Sequence, residues 1–343
     1  MKKKIMIGYT NSKSEEKRVA LELYNYLLNV KEFDVELLDF SSCFSVKENN
    51  NVIKKMINKI FKNNYNINDI KIRNSILDFN PNIFISTNYK ISVLIENYSL
   101  KCKIINILCE ISLDSNIKHL TRKNYYVVNN TVIKSKLIKK NIPSKNILVA
   151  GTPTFNIDNI NLEEKDLTLK KYSLDNNKLV YLFIANGHDY FYEYFKFLTK
   201  KQFNINIIFI SGKNRSLYDK CSNIVYENDY KNVLVLGYIK DFYNLFNISD
   251  VVITKPGTST LIECMNFKKP SILLPSTTIE ERKNLNFMVK NHLSIKANTP
   301  TDLVKKVKLT LNYKFLTKSI KNKLMKLNNY NACKEVENLI KKI

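Results

Sequence analysis

Short apolar runs recur along the chain, each closed by a small or polar residue. The stretches between them place apolar residues three and four apart. The first half holds the runs KIMIGYT, DVELLDF, NIFISTN, KIINILCE, NYYVVNN and NILVAG. The second half holds LVYLFIA, INIIFISG, NVLVLGY, DVVITK and PSILLP. Continuous apolar runs of this length, rich in Ile and Val, predict strands buried on both faces of a parallel sheet. EEKRVALELYNYLLN, YFYEYFKFLTKK and STLIECMNF predict helices between them. The alternation is that of an α/β protein. Two sets of it predict two doubly wound, Rossmann-like domains, with ligands in the cleft where the two face each other.

The polar, Gly- and Pro-bearing stretch GTPTFNIDNINLEEKD is the expected joint. It divides the chain into domains of residues 1–150 and 151–343. The tail TKSIKNKLMKLNNYNACKEVENLIKKI predicts an amphipathic helix, which either stays with the second domain or packs back on the first.

Glycine is scarce, with only Gly8, Gly151, Gly187, Gly212, Gly237 and Gly257 in 343 residues. Most follow an apolar run, which places them at strand ends. There a chain needs left-handed backbone or close approach to a ligand.

Composition narrows the class. A hydrophobic fraction of 44% suits a globular protein with a sizeable core. Lys and Arg number 55 against 31 Asp and Glu, a net charge of +24. Such an excess points to polyanionic company: nucleotides, nucleic acid or an anionic membrane surface. The lysines are scattered, Arg is scarce and no nucleic-acid-binding motif occurs, so nucleic acid is not an expected partner. The six cysteines form no C-x-x-C pair, as expected of free thiols in a reducing compartment. The basic N-terminus is followed by too short an apolar stretch for a signal peptide. No run approaches the roughly 18 apolar residues of a membrane span. The expectation is a cytoplasmic protein, soluble or peripheral.

Three loops carry candidate chemistry. In VVITKPGTSTLIECMNF a strand ends at Lys255-Pro256-Gly257, and Thr258 or Ser259 is the expected N-cap of the next helix. A helix start behind a small loop attracts phosphate through its amides and dipole. Glu263, further along the helix, suits ribose hydroxyls; alternatively it is a solvated charge. In LVYLFIANGHDYFYEYF a second glycine loop, with Gly187, feeds a helix, and His188 either touches phosphate or caps that helix. In LLPSTTIEERKNLNFMV a polar loop leads into Glu280, Glu281 and Asn284. These residues suit sugar hydroxyls or simply complement a helix dipole.

Taken in order, the motifs AGTPTF, ANGHD, LGYIKDFYNLFNISD, TKPGTSTLIE and TIEERKNLNF resemble those of GT-B glycosyltransferases. The resemblance is to the branch holding monogalactosyldiacylglycerol synthase, the processive diacylglycerol glucosyltransferases and the peptidoglycan N-acetylglucosaminyltransferase. It runs from about residue 125 to the end. The resemblance implies a UDP-sugar donor, with Tyr238 and Ile239 by the uracil. Gly257, Thr258 and the Gly187 loop would hold the diphosphate, with Lys255 and Ser259 beside it. Glu263 would bind the ribose; Glu281 and Asn284, with Glu280, the sugar. It also implies catalysis without cofactor or essential metal, because backbone amides neutralise the leaving diphosphate.

The first half departs from the family's pattern. The loop TNSKSEE has no glycine, and Glu16 sits where the family has a His. In LCEISLDSNIKHL, Glu110 and Asp114 replace a family Asp and His. Glu16, Glu110 and Asp114 are the candidates for the base that activates the acceptor.

NNVIKKMINKIFKNNY places Ile57, Ile60 and Phe61 on one helical face and Lys54, Lys55 and Lys59 around it. That is either an interfacial membrane anchor or a core helix with a basic solvent face. The resembling lipid glycosyltransferases dock to membrane through the matching place. The expected activity is therefore inverting hexose transfer to a membrane lipid such as diacylglycerol, at the inner face of the cell membrane. An isoprenoid-linked saccharide as acceptor, or a diverged non-catalytic binding protein, are the alternatives.

Overall fold

The computed structural model describes residues 2–10, 14–43, 67–98, 100–112, 120–153, 162–240, 242–276, 278–327 and 331–343. The chain folds into two compact units. The first comprises residues 1–156 and 330–343, the second residues 157–329. Asp114 and the basic amphipathic segment with Lys54, Lys55, Ile57, Lys59, Ile60 and Phe61 lie outside the described residues.

In chain order, the first unit runs β1 (Lys3–Tyr9), α1 (Ser14–Leu28), β2 (Phe33–Asp39), α2 (Ile67–Phe79), β3 (Ile83–Ser86) and α3 (Tyr89–Asn97). It continues with β4 (Lys103–Leu108), β5 (Tyr125–Val128), α4 (Thr131–Lys139) and β6 (Ile147–Val149). Its strands are all parallel, in the order β2-β1-β3-β4-β5-β6. The chain leaves β1 toward β2 and returns past it to β3, so the topological switch lies between β1 and β3.

Alternate residues of β1 explain why its apolar run is continuous. Ile5 and Ile7 bury against Val19, Leu23 and Leu27 of α1. Met6 buries on the other face with Phe84, Ile76 of α2 and Ile91 of α3. Each such side chain contributes about 1.5–3 kcal/mol of transfer free energy. Gly8 sits inside β1 rather than at its end. A Cβ there would lie 2.7 Å from the Phe84 ring and 2.9 Å from that of Phe40, so packing forbids a side chain.

The second unit runs α5 (Lys165–Lys171), β7 (Val180–Ile184), α6 (Phe191–Thr199), β8 (Asn206–Ile210), α7 (Arg215–Glu227), β9 (Val233–Leu236) and α8 (Phe242–Ile248). Then come β10 (Val251–Thr254), α9 (Thr258–Asn266), β11 (Ser271–Leu273), α10 (Ile279–Lys290), β12 (Ser294–Lys296), α11 (Pro300–Asn312) and α12 (Lys314–Leu327). Its parallel sheet has the order β12-β11-β10-β7-β8-β9. The switch falls between β7 and β10. The sequence reading missed β12, a three-residue strand whose Lys296 breaks the apolar run.

The tail is two helices rather than one. α12 ends at Leu327, and α13 (Ala332–Lys342) starts afresh with the Asn331 side chain accepting from Lys334 N. α13 belongs to the first unit. Cys333, Val336 and Ile340 join the core that α1 covers. Glu337 fastens the helix: it accepts from the Tyr26 hydroxyl (2.8 Å) and pairs with Lys334 (3.0 Å) and Lys341 (2.9 Å). All six cysteines are free.

Candidate functional site

In a doubly wound sheet, ligands bind outside the carboxyl ends of the strands at the switch point. In the second unit those ends are level. Ile184 pairs with Ile210 and with Thr254, and Ile210 pairs with Leu236. Just beyond each end stands a glycine: Gly187 after β7, Gly212 after β8, Gly237 after β9 and Gly257 after β10. Asn186 (φ 49°), Gly187 (φ 80°) and Gly212 (φ 68°) are left-handed. A Cβ on Gly212 would stand 3.6 Å from the Gly187 nitrogen, and one on Gly237 3.8 Å from the Gly212 carbonyl. Bare backbone therefore lines the edge across neighbouring strands. Three steps from β10 to β9 span about 14 Å at the usual strand spacing.

Asn214 locks two of these loops together. Its Oδ1 caps α7 at Leu217 N (3.0 Å), while its Nδ2 donates to the Gly187 carbonyl (2.9 Å) and to Asp189 (3.0 Å). Asn186 Nδ2 reaches Thr260 Oγ1 on α9 (3.4 Å), tying β7's loop to β10's helix.

Neither Thr258 nor Ser259 is the N-cap of α9. Gly257 holds that place, in extended backbone (φ −70°, ψ 138°) and with no side-chain cap. The reason is that the Thr258 hydroxyl is used elsewhere: it donates to Glu280 Oε1 (3.1 Å) and accepts from Asn284 Nδ2 (3.0 Å). Asn284, 1% exposed, also donates to the Pro256 carbonyl (3.2 Å). It clamps the Lys255–Gly257 turn onto α10. His188 does not cap a helix either. The N-cap of α6 is Tyr190, without a side-chain bond, and the Tyr190 hydroxyl donates to the Pro275 carbonyl (3.3 Å).

Lys255 Nζ lies 2.7 Å from Glu281 Oε1, with both side chains largely buried. The other Glu281 oxygen and the Thr278 side chain form a capping box at the start of α10. Burial, then the Lys255 charge, holds the His188 imidazole below its usual range, against the opposing pull of Glu281 and Asp189. Burial, and then the Glu281 charge, raises the Tyr190 hydroxyl. His188, Tyr190, Lys255, Glu280, Glu281, Asn284 and Thr258 thus gather around the β7 and β10 ends.

Ser259 is half-buried in the first turn of α9, and Glu263 is buried further along it. Tyr238 and Ile239 stand past the end of β9, at the far end of the glycine row. Tyr238 is 67% exposed, with Lys213 Nζ 5.5 Å from its ring centre. The sequence reading overlooked Asn186, Lys213, Asn214, Tyr190 and Thr260. Asn-Gly and Gly-Lys-Asn after apolar runs were the available signals.

The carboxyl edge of the first unit is built differently. Thr10 follows β1, Thr87 and Asn88 follow β3, Cys109 and Glu110 follow β4, and Asn129 and Asn130 follow β5. Glu16, on the first turn of α1, is 5% exposed and turns toward the switch point. Its Oε2 accepts from Thr10 Oγ1 (2.8 Å) and Asn88 Nδ2 (2.9 Å). Glu110 is half-buried two residues past β4, beside Cys109, whose thiol meets the Thr87 carbonyl (3.7 Å). Asn130 caps α4 and donates to the Ile111 carbonyl (2.9 Å). Among the described residues no group of three or more His, Cys, Asp and Glu gathers as metal ligands do, and no helix is long and apolar enough to cross a membrane.

Comparison with known proteins agrees with this edge geometry. Residues 191–343 match the glycosyltransferase family 28 C-terminal domain. The chain is 27% identical over 297 residues to the processive diacylglycerol beta-glucosyltransferase of Staphylococcus haemolyticus (strain JCSC1435), covering 83% of this chain and 73% of that one. It is 29% identical over 207 residues to the protein of the same name from Bacillus subtilis (strain 168), covering 59% and 53%. In fold it is similar to MurG of Acinetobacter baumannii, with a TM-score of 0.72, 13% identity and coverage of 99% and 100%. It is also similar to MnaA of S. aureus, solved with UDP, with a TM-score of 0.65, 16% identity and coverage of 99% and 96%. The chain is a glycosyltransferase of GT-B architecture, and its residues 191–343 are similar to the family 28 C-terminal domain.

Proposed function

We propose that this glycosyltransferase moves a hexose from a UDP-sugar to a hydroxyl of a membrane lipid, diacylglycerol or a glycolipid, with inversion and without an essential metal or other cofactor. The observation that carries the donor side is the row of glycines across the switch-point edge of the second unit, ending at the start of α9, which has no side-chain cap. Backbone amides and a helix dipole suit a diphosphate. They oppose the negative charge that grows on it as the sugar leaves, which is the task a metal would otherwise perform. Gly257, Thr258, Ser259 and the Gly187–His188 loop hold the diphosphate, with Lys255 beside it. Tyr238 and Ile239 flank the uracil at the far end of the row, Glu263 takes the ribose, and Glu280, Glu281 and Asn284 take the sugar.

The named relatives support a lipid acceptor. So does the basic amphipathic segment at 50–65, whose lysines would each add about 1 kcal/mol at an anionic surface. The enzyme then works peripherally on the inner face of the cell membrane.

In the reaction the acceptor hydroxyl gives its proton to a carboxylate base. Its oxygen lone pair bonds to the anomeric carbon. The bond from that carbon to the diphosphate breaks, and its electrons leave on UDP.

The test is radiolabelled transfer from UDP-glucose, UDP-galactose and UDP-N-acetylglucosamine, with and without anionic vesicles holding diacylglycerol, and with EDTA throughout. The expected result is a labelled lipid from one donor, dependent on vesicles and indifferent to EDTA. Label entering only an isoprenoid-linked product in a total lipid extract would replace diacylglycerol as acceptor. UDP binding without turnover under any condition would overturn the catalytic reading.

A further inference from the structure

Resting on the transferase reading above, Glu16 is the candidate base whose surroundings are built for the task. It stands at the switch between β1 and β3, where the doubly wound rule puts a ligand of the first unit. Two side chains from the two sides of that switch converge on one of its oxygens. Thr10, past the end of β1, donates its hydroxyl to Oε2 at 2.8 Å. Asn88, past the end of β3, donates its amide to the same oxygen at 2.9 Å. Asn88 is itself fixed: its Oδ1 accepts from Lys90 N (2.9 Å), capping α3, and its carbonyl accepts from the Ser86 hydroxyl. Thr10, Glu16 and Asn88 are 2%, 5% and 8% exposed.

We propose that Thr10 and Asn88 are positioning residues that hold the Glu16 carboxylate ionised and aimed, so that it takes the proton of the acceptor hydroxyl. The bonds have a direction. Both donors serve the charged form of Glu16, and a carboxylate in so buried a place would otherwise favour its neutral form. An amide and a hydroxyl add no charge of their own, so the base stays basic enough to accept a proton, whereas a cation in the same place would weaken it further. The pair also spans the gap between β1 and β3, which fixes the rotamer of Glu16 relative to the edge where the acceptor sits. The other titratable groups on the strand ends and helix starts that meet here are Tyr9 at the end of β1, Glu15, Lys17 and Arg18 of α1, Asp39 at the end of β2, Tyr89 and Lys90 at the start of α3, and Cys109 and Glu110 past β4.

The double duty of Asn88 supplies the test. Asn88→Asp keeps the oxygen that caps α3 but replaces the amide donor with a second carboxylate. Thr10→Val keeps the shape and removes the hydroxyl, and Thr10→Ser restores it. The readout is the pH profile of kcat/KM with the preferred UDP-sugar and vesicles, beside thermal melts of each variant. The expected result is an acid limb moved to higher pH, by about one unit or more in Asn88→Asp and less in Thr10→Val, recovered in Thr10→Ser. Asp34→Asn, exposed near the amino-terminal start of β2 and away from this edge, serves as the control and leaves the limb in place.

A second readout needs no turnover. Titration of the Glu16 carboxyl by carbon-13 NMR, assigned by its loss in Glu16→Gln, should show the same upward movement in both variants. Rates that fall with melting temperature while the limb and the carboxyl titration stay put would make the cluster a structural staple and overturn the proposal. Absence of turnover in the unaltered enzyme would count against the transferase reading instead, and the NMR titration would still decide whether Thr10 and Asn88 control the charge of Glu16.

Discussion

The two sheets end in opposite ways at their carboxyl edges. In the second unit every strand from β10 to β9 gives way to a glycine, and the edge is backbone. In the first unit the strand ends give way to Thr10, Thr87, Asn88, Asn129 and Asn130, all buried, and the edge is side chains bonded to loops and helix starts. Bare amides suit a diphosphate, whose oxygens need several donors at close range. Fixed side-chain amides and hydroxyls suit a hydroxyl to be oriented and deprotonated. The same fold thus carries two kinds of edge, and the difference is set by which residues follow the strands.

The largest effect is expected where the glycine edge depends on a buried charge pair. Lys255→Met leaves Glu281 buried without its cation and should cost the second unit about 3–5 kcal/mol. Urea unfolding followed by circular dichroism reads it; a cost under 1 kcal/mol would mean that the pair is not what holds the Lys255 turn to α10. Next, Gly212→Val puts a β-branched side chain at φ 68° and against the Gly187 nitrogen. Strain of about 1–2 kcal/mol is expected from the left-handed backbone, with UDP affinity reduced at least tenfold because the new side chain covers the bare edge beside the Gly187 loop. The same substitution at Asn129, on the other edge, should leave UDP affinity unaltered.

The first unit should show an acid dependence of its own through Glu337. Burial alone would raise this carboxyl, but hydrogen bonds from Lys341, Lys334 and Tyr26 overcome it and lower it to about 2. A depressed carboxylate contributes stability above its unfolded pKa near 4.3, and that contribution is lost as pH falls toward about 2. Glu337→Gln should therefore remove part of the loss of stability between pH 5 and 2, in melts of the first unit, and cost about 1–2 kcal/mol at pH 7. An unaltered pH slope would contradict it. Smallest, Asn130→Ala removes the cap of α4 and should cost about 1 kcal/mol with no effect on UDP.

Much of the fold was legible because parallel strands buried on both faces leave an unmistakable trace. All eleven apolar runs became strands, and β1 shows why: both of its faces meet a helix. The glycines after β7 to β10 were legible for the opposite reason, since a chain so poor in glycine keeps it where backbone must be bare. What periodicity could not reach was who bonds whom. Thr258 reads as an N-cap by type, yet its hydroxyl is used by Glu280 and Asn284, twenty and more residues away. The tail reads as one helix because its apolar spacing continues across the break, but α12 and α13 belong to different units. Nor does any local pattern announce that Asn88, seventy-two residues from Glu16, will hold its carboxylate.

The most direct measurement is calorimetric titration of UDP into the full chain in EDTA, for the unaltered protein, Gly212→Val and Glu16→Gln. The account predicts binding at one site without metal, at least tenfold weaker in Gly212→Val and unaltered in Glu16→Gln. Absence of binding, or binding indifferent to Gly212 but lost with Glu16, would contradict the placement of the donor on the glycine edge.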